Sequence, residues 1–327
     1  MALIWFKSEE KMKKVLKEIV FSIVGVLLIA TVFLWAMGFF KSSQPNHSPN
    51  PTPTVVKKSV KLKTKQPQPA TSQVKILALG DSLTQGVGDT QDKDGYQKRL
   101  KKQIVQKNLA GKATVYDEGV SGERSDQILH RLQNTKRIQK EAVKSDVLVV
   151  TAGGNDLFQN LQKNVSESES QILVRVNKVS LEYQNNLRKI FEIARKNNPK
   201  IKIVMVGIYN PFYVYFPNVT SITQAVTTFN TTAKATTDEF DDATFVNIDA
   251  LSKGQFTTKQ QIKKLKKQST EDDIAVVEKS RVETRKVDSK EKNAYLSNED
   301  HFHPNNKGYD MMTSKIKSAL QKLEVFD

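Results

Sequence analysis

From residue 74 onward the chain alternates between two hydrophobic patterns. Five short runs are apolar and β-branched: 74–80 (VKILALG), 114–120 (TVYDEGV), 146–153 (DVLVVTAG), 200–209 (KIKIVMVGIY) and 244–250 (TFVNIDA). Runs of this length predict strands, the most apolar of them buried on both faces. Segments 96–110, 125–144, 168–196 and 222–240 lie between them with helical character, and 305–323 closes the chain. This alternation predicts an α/β fold of three layers, a five-stranded parallel sheet covered by helices on both faces. Ligands of such sheets bind beyond the C-terminal strand ends. Residues 255–298 break the pattern. They are dense in mixed charge and poor in core residues, and are expected as a helical or mobile insertion lying in solvent.

Upstream the pattern changes kind. Residues 19–40 (IVFSIVGVLLIATVFLWAMGFF) form a run of 22 residues without a charge. As a helix this run is roughly 33 Å long, enough for a bilayer core. Lys11, Lys13, Lys14 and Lys17 precede it and only Lys41 follows closely. The positive-inside rule makes 1–18 a cytoplasmic basic segment and exports the remainder. A cleaved signal peptide would have a shorter apolar region and a small-x-small site, which Gly38-Phe39-Phe40-Lys41 does not offer. The run is therefore expected as an uncleaved signal-anchor, a single-pass transmembrane helix in the cell membrane. Residues 41–73, rich in Pro, Ser, Thr, Gln and Lys, read as a linker whose lysines at 57, 58, 61, 63 and 65 can meet anionic headgroups or an anionic wall polymer. This leaves 74–327 as the folded, extracytoplasmic domain.

Charge changes this picture little. The 327 residues carry a net +16, but 1–75 alone contribute +9 through 12 Lys against 3 Glu. The excess sits mainly in the tail and the insertion rather than on a basic face with interleaved aromatics, so nucleic acid is not an expected partner. The absence of cysteine is more decisive. It excludes disulfides, thiolate zinc sites, iron–sulfur clusters, a Cys nucleophile and a lipidated Cys. Neither a P-loop nor an H-E-x-x-H motif occurs, so no metal or other cofactor is called for.

Four short motifs carry candidate chemistry. Gly80-Asp81-Ser82-Leu83 ends the first predicted strand, where a Ser hydroxyl is exposed at a helix N-terminus. Gly119-Val120-Ser121-Gly122 ends the second, and Gly122 can offer an unobstructed backbone N–H. Gly153-Gly154-Asn155-Asp156 ends the third and projects a carboxamide over the same edge. Asp300-His301-Phe302-His303-Pro304 precedes the last helix. A serine nucleophile needs a base, and the base needs a carboxylate to fix its tautomer. Asp300 and His303, three residues apart, can supply both, whereas His301 beside Asp300 should point away from it. His47 falls in the linker and His130 on a charged helix. Asp81 and Asp156 are expected to support their turns.

In this combination the chain resembles the SGNH or GDSL-type hydrolases, in particular their bacterial membrane-anchored lipase or acylhydrolase branch, over about residues 75–323. Gly95-Tyr96 and Gly308-Tyr309 also stand where that branch has them. The resemblance implies a flavodoxin-like strand order 2-1-3-4-5 and a catalytic Ser82, His303 and Asp300. It also implies an oxyanion hole made of the Ser82 and Gly122 N–H groups and the Asn155 side chain.

After the fourth predicted strand, residues 209–217 hold five aromatics, of which Tyr209, Phe212 and Tyr213 are the substrate-pocket candidates. An aromatic wall suits a lipid acyl chain, but sugar rings stack on aromatics too. The first expectation is a membrane-tethered serine esterase or lipase acting on lipid or short acyl esters. The alternatives are an O-acetyl esterase of cell-wall polysaccharide and a non-catalytic anchor that binds wall polymer.

Overall fold

A computed structural model of the chain describes residues 72–91, 94–164, 169–279 and 291–326. The expected basic segment 1–18, transmembrane anchor 19–40 and all but the last residues of linker 41–73 lie outside the described residues. Among the described residues no helix is long and apolar enough to cross a membrane.

The strands are β1 (Gln73–Gly80), β2 (Lys112–Gly119), β3 (Val147–Thr151), β4 (Lys202–Val206) and β5 (Ala243–Val246). The helices, in chain order, are α1 (Ser82–Gln85), α2 (Gly95–Gln106), α3 (Ser125–Asn134), α4 (Lys136–Lys144), α5 (Gly154–Lys163), α6 (Glu169–Asn197), α7 (Thr220–Asp238), α8 (Ala250–Lys253), α9 (Lys259–Lys279) and α10 (Asn306–Lys322). All strand pairs are parallel, in the order β2-β1-β3-β4-β5. This is the three-layer sheet that the alternation of elements led us to expect, in the order that the resemblance implied.

Side chains alternate across the sheet with period two. Ile76, Ala78, Val147, Val149, Val204 and Val206 face α2 and α10, packing on Leu100, Ile104, Met312 and Ile316. Leu77, Leu79, Leu148, Val150, Ile203 and Met205 face the other layer and meet Ile128, Leu187, Phe191 and Phe229. Because both faces are covered, the central strands read as unbroken apolar runs.

Register then fixes where the chemistry emerges. Gly80 pairs with both Gly119 and Thr151, Thr151 pairs with Val206, and Val206 with Val246. All five strands thus end in one row, and the residues just beyond it come out along one edge.

The insertion 255–298 is helical over Lys259–Lys279, within the expectation, but its end departs from it. The end of the 255–298 excursion is not a solvated loop: Asn293, Leu296 and Ser297 are buried. Asn293 Nδ2 donates to Leu251 O at 2.7 Å, and Leu296 forms an antiparallel bridge with Pro304. The mixed charge lies mostly earlier, where Lys259–Lys279 is helical.

Candidate active site

The first strand delivers a serine. Asp81 caps α1, its carboxylate accepting from the Leu83 N–H at 3.0 Å and the Thr151 hydroxyl at 2.8 Å. Ser82 is the first residue of that short helix, and its backbone N–H has no protein acceptor among the described residues. Burial pushes the Asp81 carboxyl up, against the pull of the Thr151 and Leu83 donors. Asp81 thus shapes the turn, as expected from its place in the motif.

The far end of the chain delivers an imidazole. His303 Nε2 lies 2.9 Å from Ser82 Oγ, across 221 positions of sequence. Its Nδ1 lies 2.6 Å from Asp300 Oδ2, so the ring carries its proton there and turns the Nε2 lone pair toward the hydroxyl. Asp300 Oδ1 accepts the Phe302 and His303 N–H groups, both at 3.0 Å, which closes a tight turn around the carboxylate. Burial would raise the Asp300 carboxyl. The hydrogen bond and charge of His303, with the two backbone donors, outweigh it and hold the group below its ordinary value. The arrangement is a continuous hydrogen-bonded chain from Asp300 through His303 to Ser82.

The second and third strand ends supply hydrogen-bond donors. Gly122 sits at φ +82°, a left-handed conformation, and a β-carbon there would meet nothing within 4 Å. The backbone angle, not crowding, requires the glycine. Its N–H has no acceptor among the described residues, while its carbonyl accepts from Gln159 at 2.7 Å. Asn155, on the first turn of α5, donates one Nδ2 hydrogen to Glu123 O at 3.0 Å and keeps the other. Gly153, at φ +106°, turns the chain into α5, and Tyr183 packs against its bare α-carbon. Asp156 points away from this edge and accepts the N–H of Ser125 at 3.0 Å, a supporting role.

Part of this edge forms a small cleft of about 30 Å³. Ser82, His303 and Asn155 lie in it, with Leu83, Phe158, Ile208, Tyr209, Pro211 and Phe302 as apolar wall. Of the pocket candidates, Tyr209 lines the cleft and its hydroxyl donates to Phe302 O at 2.6 Å. Phe212 is not a lining residue; it stands edge-on to Phe158 at 5.8 Å and beside Phe302 at 6.1 Å. Tyr213 is buried away from the cleft. Gly122 is likewise not a lining residue, and its loop joins the edge through the bonds of Gln159 and Asn155.

Sequence reasoning missed Phe158 and Phe302. Phe158 is three residues after Asn155 and so shares its helix face. Phe302 lies inside the Asp300–His303 turn. Among the described residues no group of three or more His, Asp or Glu is placed to hold a metal ion. His130 is exposed on α3, and His47 lies outside the described residues.

Residues 78–311 match the GDSL-like Lipase/Acylhydrolase family. The chain is 27% identical over 247 residues to the uncharacterized protein YpmR of Bacillus subtilis (strain 168), covering 76% of this chain and 81% of that one. It is 26% identical over 247 residues to the spore germination lipase LipC of Bacillus licheniformis, covering 75% and 96%. Among solved structures, the lipase Lip_vut3 from a goat rumen metagenome superposes with a TM-score of 0.56 at 24% identity, over 75% of this chain and 97% of that one. That last likeness is one of fold.

Proposed function

Because the chain belongs to the GDSL-like lipase/acylhydrolase family, and is thereby a carboxylic ester hydrolase, we propose that it is a membrane-tethered, extracytoplasmic serine esterase for acyl esters of lipid character. The observation that carries this reading is the hydrogen-bonded chain from Asp300 through His303 to Ser82 at an apolar cleft. Ser82 Oγ attacks the ester carbonyl while His303 Nε2 takes the hydroxyl proton. The C–O bond to the alcohol then breaks, and His303 returns the proton to the departing alkoxide. Water, deprotonated by the same nitrogen, hydrolyses the Ser82 acyl ester and restores the serine. Asp300 holds the ring's tautomer and balances its transient charge. The N–H groups of Ser82 and Gly122 and the Asn155 amide receive the oxyanion, one such donor being worth about 3–4 kcal/mol of barrier. A non-catalytic wall-polymer anchor would leave this relay without a purpose.

The lipid preference rests on the apolar character of the wall, to which Leu83, Phe158, Ile208, Pro211 and Phe302 contribute. The tether rests on the uncharged run 19–40 and the lysines before it. Turnover of p-nitrophenyl esters from acetyl to palmitoyl tests the first point. The rate should rise with chain length beyond acetyl and vanish in Ser82→Ala; a preference for acetyl alone transfers the assignment to polysaccharide O-deacetylation. External protease on intact cells tests the second, and should release the domain from membranes.

A further inference from the structure

A second imidazole–carboxylate pair lies two residues from His303. His301 Nδ1 sits 2.6 Å from Glu291 Oε2, and the Glu291 side chain is only 2% exposed. The other Glu291 oxygen accepts the Tyr215 hydroxyl at 2.7 Å and the Asn293 N–H at 2.6 Å. The Tyr215 oxygen in turn accepts the Lys292 N–H at 3.1 Å, and its ring meets the His301 ring edge-on. Three separate stretches converge here: the aromatic loop after β4, the returning end of the charged excursion, and the Asp300–His303 turn.

The backbone explains why such a clamp matters. His301 has φ +54°, a left-handed conformation that a residue with a β-carbon adopts at a cost. That conformation reverses the chain between Asp300 and His303, so that the Asp300 carboxylate meets both the following N–H groups and the His303 ring. Glycine or asparagine would take this angle with less strain. The histidine therefore brings its side chain at the expense of its backbone. The rest of the turn adds bonds from His301 N to Ser297 O at 3.0 Å and from Ser297 N to His303 O at 2.8 Å. None of these holds the side-chain direction of the 301 position.

We propose that His301 is a positioning residue: clamped by Glu291 and Tyr215, its ring fixes the Asp300–His303 turn in the geometry that aims His303 at Ser82. It touches neither substrate nor reacting atoms and acts through Asp300 and His303. The inference rests on the serine-esterase reading above. The clamp also ties the base of the active site to the aromatic loop, so disturbance at Tyr215 reaches the catalytic turn.

The test uses the full-length chain in detergent with p-nitrophenyl butyrate, measuring kcat, KM, Tm and the rate of Ser82 phosphonylation by a fluorophosphonate. Glu291→Gln, Tyr215→Phe and His301→Gly should each lower kcat by about 10–100-fold, the scale of a misplaced catalytic group, with KM nearly unchanged. Phosphonylation should slow in parallel. His301→Gly should keep or raise Tm, because the backbone strain is relieved. The Glu291→Gln/His301→Gly double variant should be no slower than the worse single one, since the two act as one unit. Folded variants with wild-type kcat overturn the proposal. So do kcat losses that track Tm and disappear on cooling, for a purely structural role predicts them. Ser82→Ala separates the two readings. Residual turnover in Ser82→Ala defeats the esterase mechanism itself, whereas an inactive Ser82→Ala beside a fully active His301→Gly defeats only the positioning role.

Discussion

Replacing Asp300 by asparagine isolates one atom's worth of chemistry. The Asp300 carboxylate does two things: Oδ1 accepts two backbone N–H groups, and Oδ2 accepts the His303 Nδ1–H. An asparagine keeps the first function with its carbonyl oxygen, so the turn and the fold should survive. It turns the second into a clash of donors, amide N–H against ring N–H. The ring escapes by shifting its proton to Nε2, which lies 2.9 Å from Ser82 Oγ. The serine then faces a donor and loses its base. Removal of this tautomer control is worth about 10⁴ in kcat in the best-studied triad, which corresponds to about 5.4 kcal/mol of barrier. The assay is kcat for p-nitrophenyl butyrate at neutral pH, with thermal unfolding and far-ultraviolet circular dichroism as checks on the fold. A loss of about four decades at near-constant Tm is expected. An Asp300→Asn enzyme within about tenfold of the wild type would refute the tautomer argument.

Three further outcomes are expected. Asn155→Ala should lower kcat by about 10²–10³ with KM little changed, the cost of one oxyanion donor, as read from steady-state kinetics. Gly153→Ala should destabilise by about 2–4 kcal/mol, because φ +106° is strained for alanine and the new β-carbon would lie 2.8 Å from the Tyr183 ring; a fall in Tm of about 4–16 °C is the readout. Glu118 is 5% exposed, and burial together with the neighbouring Glu141 pushes its carboxyl from 4.5 up to about 7, against Arg137 and Arg131. The folded state therefore binds more protons than the unfolded one between these values, so stability from this group is full below pH 4.5 and declines as pH rises to about 7. Urea unfolding at a series of pH values should show that decline in the wild type and a flatter profile in Glu118→Gln.

The central strands were legible because burial on both faces leaves no polar interruption to read past, as in Leu148, Val149 and Val150. Their ends were less so. The run 200–209 continues apolar beyond Val206, yet β4 stops there. Ile208 no longer pairs with a strand: its N–H and carbonyl both bond the Asn230 side chain from α7, at 2.8 and 2.9 Å. No local signal distinguishes that partner from a neighbouring strand. The helical segment 125–144 is in fact two helices, broken at Thr135, whose φ −103° and ψ 104° are extended. Neither Gly nor Pro marks the break. At the site, Ser82, Gly122 and Asn155 were readable because each follows a strand end and the register aligns those ends, and Asp300 and His303 because they are three residues apart in one short motif. Phe158 and Phe302 were not, because the aromatic run 209–217 is one contiguous stretch, whereas the wall is assembled from four segments. The clamp on His301 was hidden for the same reason, though its divergence from Asp300 was visible in their adjacency.

The account stands on Ser82 being the group that takes the acyl chain. Incubating the full-length protein with a fluorophosphonate and mapping the adduct by mass spectrometry tests this most directly. One phosphonyl group per chain, on Ser82, with parallel loss of esterase turnover and no labelling of Ser82→Ala, is the expected result. Full turnover in a protein that takes up no label, or an adduct on another residue that accounts for the lost activity, would contradict it.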